Sequence, residues 1–308
     1  MEDVLAGLRA AAELTRLRIL GLCAHADLTV SDLCKILGQS QPRVSRHLKI
    51  LVDAKLLDRT REGNWVYYRL AERGAGGKLA QTIVDLIPDG DSDLSLDLGR
   101  LDGVREERAE RAEHYFQSIA DWEHLRSLFA PSEQIEAALV GFLPAQRVAD
   151  LLDVGTGTGR ILKAVAAHAD RVMGIDASTA MLTVARSALE RMGLRHVQLK
   201  PADMYALPFP SDSFDAVTVH MVLHYADDPA SVLREGARVL KPGGRLIVVD
   251  FAPHESAFLT TDHGHRHLGF EDEAMRQMLT GVGLTALDPA VLRGDPLTVY
   301  VWAGERPA

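Results

Sequence analysis

Cysteine is scarce in this chain. Cys23 and Cys34 are the only two in 308 residues, too few for a disulfide framework, so a reducing, cytoplasmic setting is expected. No uninterrupted apolar run reaches the roughly 18 residues that a membrane-spanning helix requires, which argues against any membrane span. Met1-Glu2-Asp3 is acidic and no basic stretch leads into an apolar one, so no secretory signal is expected. Disorder and collagen-like repeats are excluded by composition: 47% of residues are hydrophobic and 25% charged, the balance of a soluble chain with a sizeable core. The length suits two domains.

Charge is unevenly spread. Residues 1–70 hold 11 Lys/Arg against 8 Asp/Glu, and the remainder 23 against 35, within a net charge of -9. An acidic whole argues against wrapping nucleic acid, while the basic front leaves room for a local DNA contact.

The first 88 residues read as short helices followed by a hairpin. Leu14, Leu17, Ile19, Leu20 and Leu22 form an apolar helix face. Thr29 or Ser31 can cap the next helix, which Gly38 ends. Ser40 or Gln41 caps a further helix with Pro42 in its first turn, where a missing N–H costs nothing. There Val44, Leu48 and Leu51 point inward, and Gln41, Arg43, Ser45, Arg46 and Lys49 lie on the other side. Two strands, Leu56 to Thr60 and Trp65 to Leu70, flank an Arg61-Glu62-Gly63-Asn64 turn. A last helix runs from Leu79 to Ile87. Residues 89–104 are rich in Asp and Gly and read as a flexible acidic linker. Residues 105–144 read as a helical lid or connector, with Tyr115, Ile119, Trp122, Leu125 and Phe129 at helical spacing.

Two helices joined at Gly38, the second bearing Gln, Arg, Ser, Arg and Lys, suit the major groove of DNA. Gln41 and Arg43 can reach base edges; Arg46 and Lys49 suit phosphates. Arg59, Arg61 and Arg69 on the hairpin suit backbone or minor-groove contacts. A merely solvated helix face is the competing explanation.

From residue 145 to 308 short apolar strands alternate with amphipathic helices: Val148–Val154, Arg171–Asp176, His196–Lys200, Phe214–His220, Arg245–Phe251, Leu284–Leu292 and Leu297–Trp302. That alternation predicts a doubly wound α/β sheet. Asp153-Val154-Gly155-Thr156-Gly157-Thr158-Gly159 ends a strand and opens a helix, and its glycines let backbone N–H groups approach a ligand closely. Asp176 closes the next strand, where a ribose diol would sit. Asp203 follows the third strand, and can accept a bond from an adenine amino group.

Three segments, Thr15 to Leu20, Val44 to Leu51 and Arg61 to Leu70, resemble the ArsR family of winged-helix repressors. The resemblance covers roughly residues 5–88. It implies a homodimer, built on the first and last helices of that domain, that binds an inverted-repeat DNA operator. Metal-sensing members carry paired cysteines where this chain has Thr29 and Ser31, neither a soft ligand, so no metal site is expected there.

The glycine loop, Asp176, Asp203, Ser213 to Val217 and Leu240 to Leu246 together resemble the class I S-adenosylmethionine-dependent methyltransferases over residues 145–308. This implies a Rossmann-like seven-stranded sheet with the last strand antiparallel. It also implies that Asp153, Gly155, Gly157, Gly159, Asp176, Ala177, Asp203, Met204 and His220 line the S-adenosylmethionine site, with Tyr115 a contact from the lid. Methyl transfer would leave S-adenosylhomocysteine and modify a small-molecule acceptor. No cysteine follows Cys34, so arsenic methylation is not expected of this half.

Most of the 12 histidines follow residue 150. His220, His224 and His254 fall at strand ends bordering the ligand crevice. Three roles compete: support of the loop, chiefly for His224; a general base at His220 or His254; and a metal site of His220, His254 and the His263, His265, His267 run.

Overall fold

A computed structural model describes residues 2–62, 65–88, 90–117, 131–194, 196–256 and 258–308. The chain divides into two compact units, residues 1–111 and 112–308.

The first unit is a winged helix. Helices α1 (Glu2–Ala11), α2 (Leu14–Cys23), α3 (Val30–Leu37), α4 (Gln41–Asp53) and α5 (Gly74–Asp85) surround a small sheet of order β1 (Leu28–Thr29), β3 (Trp65–Leu70), β2 (Leu57–Glu62). Local chemistry sets each boundary. Thr29 caps α3 through a reciprocal capping box with Asp32, and Gly38 ends it in the left-handed region at φ 63°. Ser40 precedes α4, with Pro42 in its first turn. Val44, Leu48 and Leu51 are almost fully buried, so the opposite face of α4 is turned outward by the helical period.

The expected flexible linker over 89–104 is not one. Residues Ser92–Gln117 form a single helix, α6. Asp91 accepts the Leu94 N–H at 2.8 Å and so starts the helix as a cap. Leu94, Asp97, Leu98, Leu101 and Val104 then recur at three- and four-residue spacing, and Asp97 and Leu101 are fully buried. Gly99 and Gly103 sit on the outer side, where an added Cβ would meet nothing. The Asp and Gly content reads as a breaker, but burial of this stripe on the winged-helix core outweighs the intrinsic cost of two helical glycines, about 1 kcal/mol each. The Arg18 guanidinium makes a two-pronged pair with Asp97 at 2.6 and 2.7 Å. Arg100 donates to the Ile36 carbonyl at the end of α3, Arg105 to the His25 carbonyl, and Lys35 pairs with Glu107 at 2.7 Å.

The second unit is a doubly wound sheet. Its strands are β4 (Val148–Val154), β5 (Ala169–Asp176), β6 (Val197–Pro201), β7 (Phe214–His220), β8 (Leu240–Phe251), β9 (Thr285–Ala286), β10 (Ala290–Leu292) and β11 (Val299–Glu305). They run in the order β10-β11-β8-β7-β4-β5-β6, with β9 also on β11. β4 to β8 are parallel, and β11 runs antiparallel to β8. The strand expected over Leu284–Leu292 is split in two, β9 and β10, giving eight strands among the described residues; Pro289 has no N–H to continue the ladder. Alternate residues of the central strands feed two cores, Leu151, Ala216 and Ile247 on one face and Leu152, Val217 and Leu246 on the other. The chain leaves β4 to β5 on one side and enters β7 on the other. The switch point therefore lies beyond the carboxyl ends of β4 and β7, where this architecture opens a crevice.

Candidate functional site

The crevice begins with Asp153, fully buried on β4. Its Oδ1 accepts the Thr218 hydroxyl at 2.6 Å, while Oδ2 is buried without a hydrogen-bond partner among the described residues. Burial pushes its pKa up to about 7, the hydroxyls of Thr156 and Thr218 pulling the other way. Gly155, Gly157 and Gly159 all have positive φ. A Cβ on Gly155 would lie 2.5 Å from a Val222 methyl, and one on Gly159 3.0 Å from the Ala185 Cβ. Gly157 differs: its missing Cβ faces open space. The glycines at 155 and 159 thus serve packing, and the one at 157 leaves a cradle.

Asp176 shapes that cradle. Its Oδ2 accepts the Gly157 N–H and its Oδ1 the Ser178 N–H, both at 2.8 Å. Each oxygen keeps lone-pair capacity for a diol. Exposed Ala177 follows it. The Ala202 N–H bonds the Asp176 carbonyl, which sets Asp203 beside it; Asp203 is exposed and its Oδ1 accepts the Tyr205 N–H at 2.9 Å. Met204 is half-buried against the core.

His220 ends β7. Val219 is in register with Val154, so His220 and Gly155 face the same crevice. Burial, with the Arg160 charge adding to it, lowers the His220 pKa to about 4. Arg160, the first residue after the glycine loop, pairs with Glu136 at 3.2 Å. Sequence reasoning missed this pair, although an Arg directly after the third glycine was visible.

The histidines beyond β7 and β8 are used unequally. His224 and Asp250, 2% and 0% exposed, form a pair with His224 Nδ1 2.8 Å from Asp250 Oδ1. The His265 ring stacks on His224 at 4.0 Å, and His267 Nε2 lies 2.9 Å from the Ala226 carbonyl oxygen. His254 Nδ1 accepts the Ser256 N–H at 3.3 Å, and burial lowers its pKa. Among the described residues no three His, Cys, Asp or Glu side chains converge to hold a metal ion; the His263 side chain is outside them. Tyr115 lies on α6, but its side chain and residues 118–130, with Ile119, Trp122, Leu125 and Phe129, are also outside the described set.

In the first unit, Gln41, Arg43, Ser45, Arg46 and Lys49 are all exposed along α4, as are Arg59 and Arg61 on β2. Arg69 is committed elsewhere, pairing with Asp27 at 2.7 Å. The turn residues Gly63 and Asn64 are outside the described set.

Comparison with known families agrees with both halves. Residues 14–59 match the bacterial regulatory protein, arsR family, and residues 152–248 match a methyltransferase domain. The chain joins an arsR-family helix-turn-helix to a class I methyltransferase domain. Over 106 residues the second half is 37% identical to the uncharacterized methyltransferase YcgJ of Bacillus subtilis, covering 34% of this chain and 42% of that protein. It is 44% identical over 106 residues to the demethylmenaquinone methyltransferase of Thermus thermophilus, covering 33% and 47%. The chain thus spans less than half the length of these curated relatives. The crystal structure of YcgJ superposes with a TM-score of 0.50 at 20% identity, over 57% of this chain and 99% of that one. The [4+2]-cyclase SpnF superposes equally well, 0.50 at 21% identity over 57% and 81%. The methyltransferase fold is therefore shared with a protein named for a different reaction, and the chemistry has to be argued from the side chains.

Proposed function

We propose that this chain is a DNA-binding transcriptional regulator whose methyltransferase domain binds S-adenosylmethionine and its demethylated product, S-adenosylhomocysteine, and converts their presence into a change of operator affinity. The open cradle at Gly157, bounded by Asp176 and the unpartnered Asp153 Oδ2, carries the ligand half of the reading. It fits a group that needs close backbone approach, a diol acceptor and a buried acceptor for a cation or donor. Asp176 would hold the ribose hydroxyls and Asp203 the adenine edge. The regulatory half is supported by α6. The chain leaving the helix-turn-helix is a helix clasped to α2 and α3 through Asp97, Arg100 and Glu107, so a shift of that helix would act directly on the helix-turn-helix. Such coupling requires the ligand to bind two conformations unequally.

The DNA partner is double-stranded and the operator an inverted repeat read by a homodimer. The exposed Val4, Leu5 and Leu8 of α1 and Leu86 after α5 supply an apolar face for that dimer. The cytoplasm is the compartment in which such a partner is met. Calorimetry of the full chain with each nucleoside, followed by anisotropy on DNA from the gene's own upstream region, tests the proposal. Heat with at least one nucleoside and a shifted DNA affinity are expected. Heat without any shift rejects sensing, and no heat with either rejects the ligand assignment.

A second reading is favoured by the His224–Asp250 pair: the domain turns over, methylating a small molecule, and the DNA-binding half controls its own operon. Turnover is its test.

A further inference from the structure

We propose that His224, held by Asp250, is the general base for methyl transfer, and that the acceptor bears an acidic hydroxyl, of a phenol or enol, next to a second oxygen that takes a hydrogen bond from His254. This rests on reading residues 131–308 as a methyltransferase that turns over.

The argument starts from tautomers. Asp250 Oδ2 accepts the His224 N–H at 3.1 Å and Oδ1 accepts the Phe251 N–H at 2.8 Å. The same Oδ1 is 2.8 Å from His224 Nδ1. A carboxylate only accepts, so Nδ1 carries the hydrogen and Nε2 keeps its lone pair. A loop clasp would need no more than the backbone bond. A carboxylate against Nδ1 as well fixes the ring's orientation and which nitrogen carries the hydrogen. The ring is oriented by His265 stacked at 4.0 Å and by Tyr225 at 4.2 Å.

His254 has the opposite polarity. Its Nδ1 accepts the Ser256 N–H, so the neutral ring carries its hydrogen on Nε2. That Nε2 is buried and has no hydrogen-bond partner among the described residues, and burial lowers the ring's pKa. A buried donor without an acceptor is expensive unless a ligand oxygen completes it. His224 and His254 both pack on the Phe251 ring, at 5.4 and 5.6 Å. One base and one donor around a single aromatic platform suit neighbouring oxygens on a planar acceptor, one giving up a proton and the other receiving a hydrogen bond. The base role expected of His220 or His254 thus moves to His224.

The acceptor oxygen forms its bond to the methyl carbon as the sulfonium donor's carbon–sulfur bond breaks, its electron pair remaining on sulfur. The hydroxyl proton passes to His224 Nε2, and the positive charge lost from sulfur appears on the imidazolium beside Asp250. His224 later returns the proton to solvent.

The test uses the full chain with S-adenosylhomocysteine and 4-nitrocatechol as the probe. Nitrogen NMR of histidine-labelled protein should show the Nδ1–H tautomer at His224 and the Nε2–H tautomer at His254; the reverse at either site overturns that assignment without any variant. Absorbance should show bound 4-nitrocatechol ionising at lower pH than in water, and His224→Gln should abolish the shift while S-adenosylhomocysteine affinity stays within about twofold. Turnover of the probe with S-adenosylmethionine should yield an O-methyl product and fall by about 10²–10⁴-fold in His224→Gln, the usual range for loss of a general base. Failure of the probe to bind the nucleoside-loaded chain, methylation at carbon, or an unchanged rate in the variant overturns the proposal. Failure of the nucleoside itself to bind is a different result, and refutes the methyltransferase reading beneath it.

Discussion

Asp97→Ala is the perturbation that most directly tests the clasp of α6 on the winged helix. Asp97 is fully buried and its partner Arg18 is 18% exposed. The pair is two-pronged, and Arg100 adds a third nitrogen at 3.5 Å. Removing one partner of a buried pair leaves an uncompensated charge and costs about 3–5 kcal/mol. Because Arg18 retains some solvent, the lower end applies, about 3 kcal/mol, or about a hundredfold in the equilibrium for opening the helix, since 1.4 kcal/mol is tenfold. Hydrogen exchange of full-length protein reads this directly. Amides within 94–107 should lose about two decades of protection in Asp97→Ala, while those of β4 and β7 should not change. The double variant Arg18→Met, Asp97→Leu should recover most of the loss, because a well-packed apolar pair avoids the desolvation cost. Unchanged protection in the single variant would refute the argument, and residues 92–107 would then behave as the linker that their composition suggests.

Gly157→Ala, whose Cβ meets nothing but whose φ is 54°, should cost about 1–2 kcal/mol of backbone strain and weaken S-adenosylhomocysteine at least tenfold in calorimetry by filling the cradle; Gly155→Ala, with positive φ and blocked by Val222 as well, should lower the melting temperature further. Asp153 has a folded pKa raised to about 7, so its stabilising protonated form is present at low pH and is lost as pH rises from about 4 through 7. Chemical denaturation at steps across that window should therefore show wild type losing stability relative to Asp153→Asn, and parallel curves would remove the assignment. His220 works the other way: with a folded pKa lowered to about 4, its contribution is complete above the unfolded value near 6.5 and is lost as pH falls toward 4. In His220→Gln that acid-side loss should shrink. Gln41→Ala and Arg43→Ala should each relax sequence preference by about 1–3 kcal/mol in competition binding, the worth of a good base contact; equal losses on random DNA would reassign them to phosphates.

Both halves could be read from sequence where chemistry is local. The capping box at Thr29, the Gly38 stop and the apolar face of α4 are set by side chains within a few residues of one another, and so are the glycine turn after β4 and the carboxylates that close β5 and follow β6. Such signals survive in one dimension because the helix and strand periods put neighbours in contact. What composition misjudged was the 89–104 segment. Its Asp and Gly residues are poor helix formers; the Leu98, Leu101, Val104 stripe stood at helical spacing, but the winged-helix core that buries it and the Arg18 partner of Asp97, about eighty residues earlier, have no trace in local order. The histidines show the same limit more sharply. Sequence placed His220, His224 and His254 at the same crevice, yet only the tertiary fold brings Asp250 of β8 against His224 after β7, whereas the Ser256 N–H reaches His254 from two residues on. The hydrogen on the His224 imidazole is therefore set by a partner from another strand, which meets it only once the sheet is closed.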